Sequence, residues 1–443
     1  MHRAGGRAGS RGRQAPVSPP PPAAGLTRLV CEDCHAELGE LDPSVRCPAC
    51  NGLLEVRHNP PELRGQDLRD LFDKRIGPPT THPDPSSGVW RFRELVLPGA
   101  DAPVSYPEGN TPLLVREAAS RWAGLPDLAF KHEGMNPTGS FKDRGMTVAI
   151  TQALRIGARA VACASTGNTS ASLAAYAAQA GLPCYVLVPA GRVARGKLAQ
   201  TVGFGARVLS VRGDFDACLR LLDQAAGGLG WYLANSINPF RIEGQKTIVF
   251  ELLQQLGWEP PDWIVLPGGN LGNTAAFGKA LTEAQGLGLI GRLPRVAVVQ
   301  AEGAAPFAKS YSGRFEKRYE VQAETVATAI RIGSPASWTR AVRAIEATRG
   351  VVLSVPDQEI LTAKAEIDHA GVGSEPASAA SLAGLRKLVG SGAVGLRERA
   401  VAILTGHMLK DPEILLEDHR VLEIEPTLPA LAKAVSTAVP KSA

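Results

Sequence analysis

The sequence predicts an α/β protein with two open, twisted-sheet α/β domains preceded by a small cysteine-bearing module. Three observations carry that expectation. The chain has 443 residues, more than one core of ~100–200 residues organises. From about residue 104 onward, short apolar, β-branched runs alternate with Ala- and Leu-rich helical stretches, the pattern of parallel sheets covered on both faces. Near the start, two Cys-x-x-Cys pairs, Cys31/Cys34 and Cys47/Cys50, stand twelve residues apart.

Residues 1–26 read as a tail. Four arginines (Arg3, Arg7, Arg11, Arg13) and no acid fall within residues 1–24. They account for most of the formal charge of +5, so the body is nearly neutral and its charge balance gives no support for a nucleic-acid surface. The Gly and Pro content of the tail argues for a disordered extension over a targeting peptide. Composition is 44% hydrophobic and 21% charged, that of an ordinary soluble protein. No apolar run reaches the ~18 residues of a membrane span. An odd total of seven cysteines without an export signal points to a reducing, cytoplasmic setting.

Residues 27–58 read as a self-contained zinc ribbon. So short a unit buries too little apolar surface alone, and a tetrahedral zinc on Cys31, Cys34, Cys47 and Cys50 would hold it together. The competing reading is a ribbon that has lost its metal or carries redox-active pairs. Residues 59–103 are Pro-rich and read as a connecting arm. Strands are expected at 160–165, 184–189, 206–211, 263–268, 296–301 and 400–406. The expected division is a large domain from 104–144 and 235–440, and a small one from 145–234.

The polar motifs follow these strands, where ligands of open α/β sheets bind. Asn136-Pro137-Thr138-Gly139-Ser140-Phe141-Lys142-Asp143-Arg144 sets one lysine between an aromatic and an acid just after a turn. A solvated helix lysine needs no such setting; a reactive amine does. Residues 165–172, STGNTSAS, open a helix whose N–H groups suit a carboxylate; the plainer reading is an N-cap. Residues 266–273, LPGGNLGN, suit a phosphate cradle, or simply a glycine-rich turn. Thr405 stands at a strand end. Asn235, Ser236, Arg241 and Lys246 cluster in residues 235–247, which suits phosphate recognition, or a solvated loop. A reactive lysine, a phosphate cradle, an anion-binding helix start and a strand-end hydroxyl are together what pyridoxal phosphate (PLP) requires.

NPTGSFKDRGM, STGNTSAS, GGNLGN, TAIRIGSPASW, EPASAAS and LTGHMLKDP, in this order, resemble the threonine synthases, of the tryptophan-synthase-β-like, fold type II PLP enzymes. PEGNTPLL and NPFRIEGQKT fit as well, and the resemblance spans roughly 105–415. It implies that Lys142 carries the cofactor and shuttles protons. Asn168 would bond the ring hydroxyl, and Thr405 would face the ring nitrogen, where a hydroxyl does not favour a protonated ring. Gly268, Gly269, Asn270, Leu271, Gly272 and Asn273 would cradle the cofactor phosphate. Ser165, Thr166 and Thr169 would hold the substrate carboxylate; Asn235, Ser236 and Arg241 would take the substrate's own phosphate. The implied reaction turns O-phospho-L-homoserine and water into L-threonine and phosphate. Met408 and Ser334 stand where glycine and asparagine are common in the family, and GVGS (371–374) where a bulkier residue is usual.

The alternatives are another PLP lyase of the same fold, such as a serine/threonine dehydratase or a cysteate-synthase-like β-replacement enzyme, and a non-catalytic adaptor. The expected partner is a small phosphorylated amino acid, with neither nucleic acid nor membrane; a homodimer is compatible with the sequence.

Overall fold

The computed structural model describes residues 26–77, 86–191, 198–416 and 423–438. The arginine-rich tail up to residue 25 lies outside the described residues, as do the end of the chain and part of the arm. Among the described residues, thirteen strands form three sheets.

The first sheet is antiparallel, in the order β2-β1-β3, from β1 (Thr27–Cys31), β2 (Glu37–Gly39) and β3 (Leu54–His58). It is not the self-contained unit expected. Leu29, Leu54 and Val56 belong to the same core as Phe277, Ala280 and Trp338 of the body. Three short strands have one apolar face and no second layer, so that face needs a neighbour. Polar bonds fix the docking. Arg340 and Arg343 both pair with Glu32, and His58 Nε2 lies 3.0 Å from Glu243 Oε2.

The arm is also more than a connector. Its helix Gly65–Asp73 buries Leu68 and Phe72, four residues apart and so on one face. Phe72 meets Phe92 edge to face at 5.0 Å, and Phe92 lies 5.7 Å from Phe250. Composition marked this stretch as Pro-rich; the spacing of its few large apolar residues is what lets it dock.

The second sheet has six strands in the order β12-β11-β10-β13-β5-β4. They are β4 (Leu113–Val115), β5 (Leu128–His132), β10 (Trp263–Pro267), β11 (Arg295–Ala301), β12 (Val351–Val355) and β13 (Ala400–Leu404). All neighbours are parallel except β4 with β5. The third sheet, β8-β7-β6-β9, is wholly parallel. It consists of β6 (Ala160–Ala164), β7 (Cys184–Pro189), β8 (Arg207–Val211) and β9 (Trp231–Leu233). Central strands feed a core on each face. Ile264, Leu266, Val401 and Ile403 enter one core, while Trp263, Val265, Ala402 and Leu404 enter the other. That explains their near-continuous apolar sequences.

All six expected strands are present, most of them one or two residues shorter. β4, β5, β9 and β12 were not expected. β4 and β9 have three residues each, too few for periodicity to register. β5 carries Lys131 and His132 inside a fully buried strand, which breaks the apolar run.

Strand order places the site. In the six-stranded sheet the chain steps outward from β10 to β12, then returns on the other side of β10 as β13. In the four-stranded sheet it steps from β6 to β8, then returns beside β6 as β9. Loops at the carboxyl ends of β10 and β13, and of β6 and β9, therefore part at a switch point and leave a crevice.

Candidate active site

The four switch-point loops are those that carry the polar motifs. After β13, residues 405–407 run back along the loop before Lys142. Phe141 N donates to Thr405 O at 3.0 Å, and His407 N to Gly139 O at 2.9 Å. Lys142 begins the helix Lys142–Arg155, so its amine is aimed by main-chain bonds to the end of β13.

Each residue after Phe141 has a separate physical task. The Phe141 ring centroid lies 4.1 Å from Lys142 Nζ. Asp143 holds the turn, accepting from Thr138 N at 2.7 Å and Thr138 Oγ1 at 2.6 Å. Arg144 donates to Glu133 Oε2 at 2.7 Å and Glu251 Oε1 at 2.8 Å. Gly145 admits the helix Pro239–Gln245, since a Cβ there would lie 2.8 Å from Arg241 O.

Burial first, and then the nearby Arg241 guanidinium, lower the Lys142 amine to about 7 against the opposing pull of Glu375. A substantial fraction of neutral amine at neutral pH is what a nucleophile and proton carrier needs.

Arg241 is buried, and its Nη1 donates to Ala234 O at 3.1 Å, while Nε has no partner. Among the described residues no carboxylate pairs with it. Burial pulls this guanidinium down to about 10. A buried cation without an acid is costly unless an anion arrives.

A second anion-ready feature lies beside it. The helix Gly272–Gly286 follows β10 through Gly268, Gly269, Asn270 and Leu271, and no side chain caps its start. Asn273 Oδ1 and Thr274 Oγ1 are buried there without partners. Gly268 and Gly269 leave no room for side chains: a Cβ would meet Val298 Cγ1 at 2.5 Å and Ile330 Cα at 3.0 Å, respectively. Leu271 takes the left-handed conformation, φ +63°, which turns the chain into the helix. Asn270 Oδ1 accepts from Ala336 N at 2.6 Å, and its amide donates to Ser236 Oγ.

On the facing side, Ser165, Thr166, Asn168 and Thr169 surround the start of the helix Asn168–Ala180, which also lacks a side-chain cap. Ser165 Oγ accepts from Gly167 N at 3.2 Å. Asn168 Nδ2 donates to Glu375 Oε2 at 2.9 Å, and Thr405 Oγ1 donates to Glu375 Oε1 at 3.3 Å.

Two basic-motif residues lie elsewhere than phosphate recognition suggests. Both groups of the Asn235 amide are taken by the Ala164 backbone at 3.1 Å, which ties the end of β9 to β6. Lys246 is bonded to Glu283 Oε2 at 2.7 Å and Leu95 O at 2.9 Å, facing the arm. Sequence reasoning assigned no role to Glu375, Asp143 or Asn273's neighbour Thr274. The signal for Glu375 was available in its placement directly before Pro376, at a helix start.

The residues fit PLP. A glycine loop runs into an uncapped helix whose N–H groups and orphaned Thr274 hydroxyl would take the phosphate, Lys142 would offer an amine near neutrality, and Asn168 and Thr405 would offer polar groups to the ring. At the amino terminus, the sulfurs of Cys31, Cys34, Cys47 and Cys50 all lie within 4.8 Å of one another, a donor set of soft thiols. Among the described residues no helix is long and apolar enough to cross a membrane.

Comparisons with known proteins point to the same cofactor class. The family described as pyridoxal-phosphate dependent enzyme matches residues 104–406. The threonine synthase of Methanosarcina acetivorans is 48% identical over 394 residues, 88% of this chain and 94% of that protein. The threonine synthase of Mycobacterium tuberculosis H37Rv is 49% identical over 345 residues, 77% of this chain and 93% of that protein. Among solved structures, threonine synthase from Escherichia coli superposes with a TM-score of 0.67 at 19% identity, covering 93% of this chain and 99% of that one, a likeness of fold. The chain therefore belongs to the pyridoxal-phosphate-dependent enzymes and, within them, to the threonine synthases.

Proposed function

We propose that the protein converts O-phospho-L-homoserine and water to L-threonine and phosphate. The observation that carries the substrate choice is Arg241: a buried guanidinium without a carboxylate, near the reactive amine, in addition to the glycine loop. One anion site suits the cofactor phosphate and the other a phosphorylated substrate.

In this reading Gly268 to Asn273 hold the cofactor phosphate, Asn168 the ring hydroxyl and Thr405 the ring nitrogen. Bound at Lys142, PLP supplies an electron sink for carbanion chemistry. Ser165, Thr166 and Thr169 hold the substrate carboxylate at a helix N-terminus. Arg241 and Ser236 bind the substrate phosphate, and Asn235 keeps their loop against β6. Lys142 Nζ, neutral in a large fraction near pH 7, takes protons from substrate carbon and returns them. We read the four cysteines as a structural zinc site, and the three sheets as supporting a ribbon, a large domain and a small domain with the boundaries given above.

The test is a product assay on the holoenzyme with O-phospho-L-homoserine and, separately, L-threonine. Threonine and phosphate are expected from the first. Ammonia and 2-oxobutanoate from threonine, with no turnover of the phosphorylated substrate, would replace this reading with a dehydratase. Lys142→Ala is expected to abolish the lysine-bound cofactor absorbance and lower activity by roughly 10²–10⁴-fold.

A further inference from the structure

Glu375 precedes Pro376 at the start of the helix Pro376–Gly390, with its carboxyl buried in the crevice. One oxygen accepts from Asn168 Nδ2 at 2.9 Å, the other from Thr405 Oγ1 at 3.3 Å. Asn168 stands at the end of the four-stranded sheet and Thr405 at the end of the six-stranded one, so a single side chain spans the crevice. The surroundings hold it there. Glu375 N donates to Gly406 O at 3.0 Å. A Cβ at Gly406 would lie 2.4 Å from the Glu375 carboxyl carbon, so this glycine keeps the space the carboxyl occupies. Ser378 Oγ lies 2.9 Å from Thr405 Oγ1 and accepts from Gly406 N at 2.9 Å.

We propose that Glu375 is a positioning residue: its carboxyl ties Asn168 to Thr405 across the crevice and so sets together the two polar contacts offered to the cofactor ring. The inference rests on the reading of this crevice as the PLP site. No cation among the described residues forms an ion pair with Glu375, and burial raises its carboxyl above the usual range. The two bonds of the bridge therefore rest on reach and hydrogen bonding, while the carboxylate's charge acts on Lys142 and Lys410. A glutamine has the same reach, can accept from Asn168 and can donate to Thr405. An aspartate keeps the charge but is one methylene too short to span both.

The experiment compares Glu375→Gln, Glu375→Asp and Glu375→Ala with the unaltered protein, titrating each cofactor-free form with PLP and recording its visible absorption band. Hydrogen exchange of residues 165–170 is followed in parallel. The Asp and Ala forms are expected to bind PLP about tenfold or more weakly, as the loss of bonds to a charged or buried group implies, with an altered band and faster exchange. The Gln form is expected to stay within about threefold of the original. Ser378→Ala, which removes the bonds of Ser378 to Thr405 and Gly406 but leaves both bonds of Glu375 in place, is expected to lie closer to the original than the Asp form, and the contrast between Gln and Asp decides the matter if the Ala form does not fold. Equal damage in Gln and Asp, or no change in any variant, would overturn the proposal. If the unaltered protein gives no lysine-bound band with PLP, the reading of the crevice fails instead, which separates the two failures.

Discussion

Arg144 and Arg241 are both fully enclosed, and their helices touch so closely that a Cβ on Gly244 would lie 1.8 Å from Arg144 O. Yet their surroundings are opposite. Arg144 is bonded to Glu133 and Glu251, and Glu251 also meets Lys131 and Arg91 of the arm. These carboxylates outweigh the desolvation of Arg144 and raise its guanidinium above the usual range. Among the described residues Arg241 has no carboxylate partner, and burial lowers it to about 10. The difference teaches how to tell a structural charge from a ligand-binding one. The first arrives with its counter-ions in the chain; in the proposed reading the second receives them from a ligand.

The most severe break of that contrast is Arg144→Met. Removing it leaves Glu133 and Glu251 buried without their main partner, and stability is expected to fall by about 3–5 kcal/mol. Thermal unfolding of the cofactor-free protein measures this; an unchanged melting temperature would show the network to be dispensable. Arg241→Met is expected to leave that melting temperature nearly unchanged or raise it, because no charged partner is stranded and only the Ala234 carbonyl loses a bond. Its KM for O-phospho-L-homoserine should instead rise roughly 10- to 100-fold, the loss of a charged hydrogen bond of about 1.5–3 kcal/mol, with PLP binding much less affected. A loss of stability matching that of Arg144→Met would erase the distinction.

A smaller effect sharpens it. In the proposed reading Lys142 takes up PLP, for which it needs its neutral form, and burial, followed by Arg241, lowers its amine to about 7. The rate of cofactor uptake should therefore rise with pH through about 7 and then level off, well below the ordinary lysine range. In Arg241→Met the inflection should move to higher pH, since one of the two lowering causes is gone. Between about 7 and that ordinary range the unfolded chain holds a proton on Lys142 that the folded chain lacks, so this residue's contribution to stability grows as pH rises. An inflection that stays in place would remove Arg241 from the surroundings of the amine.

The smallest expected effect lies farthest from both arginines. Metal analysis should find about one zinc per chain, lost in Cys47→Ser. Because the first sheet is also held by Glu32, Arg340 and the shared core, the body should melt with less change than in Arg144→Met. Absence of zinc from gently purified protein would reject the site.

Much of this was legible in the order of residues. Central strands buried on both faces announce themselves as apolar runs, and a lysine between Phe141 and Asp143 stands out because ordinary helices have no use for it. Gly268 and Gly269 could be read as a close backbone approach because only glycine leaves room for it. The arm was misjudged because proline content masks the Leu68 and Phe72 pair, and β5 was missed because Lys131 looks like a surface residue until Glu251 is beside it.

Features that depend on residue type and local spacing were thus set along the chain: strand character, glycine turns, the thiol quartet. The pairing of distant groups was settled only on folding. Glu375 meets Asn168 across 207 positions of sequence, Asn235 is taken by Ala164, and Arg144 and Arg241 part company by their neighbours alone. The physical reason is that a charge or hydrogen-bonding group has no fixed meaning in isolation. Its protonation, its cost and its use follow from what burial removes and which partner the fold returns.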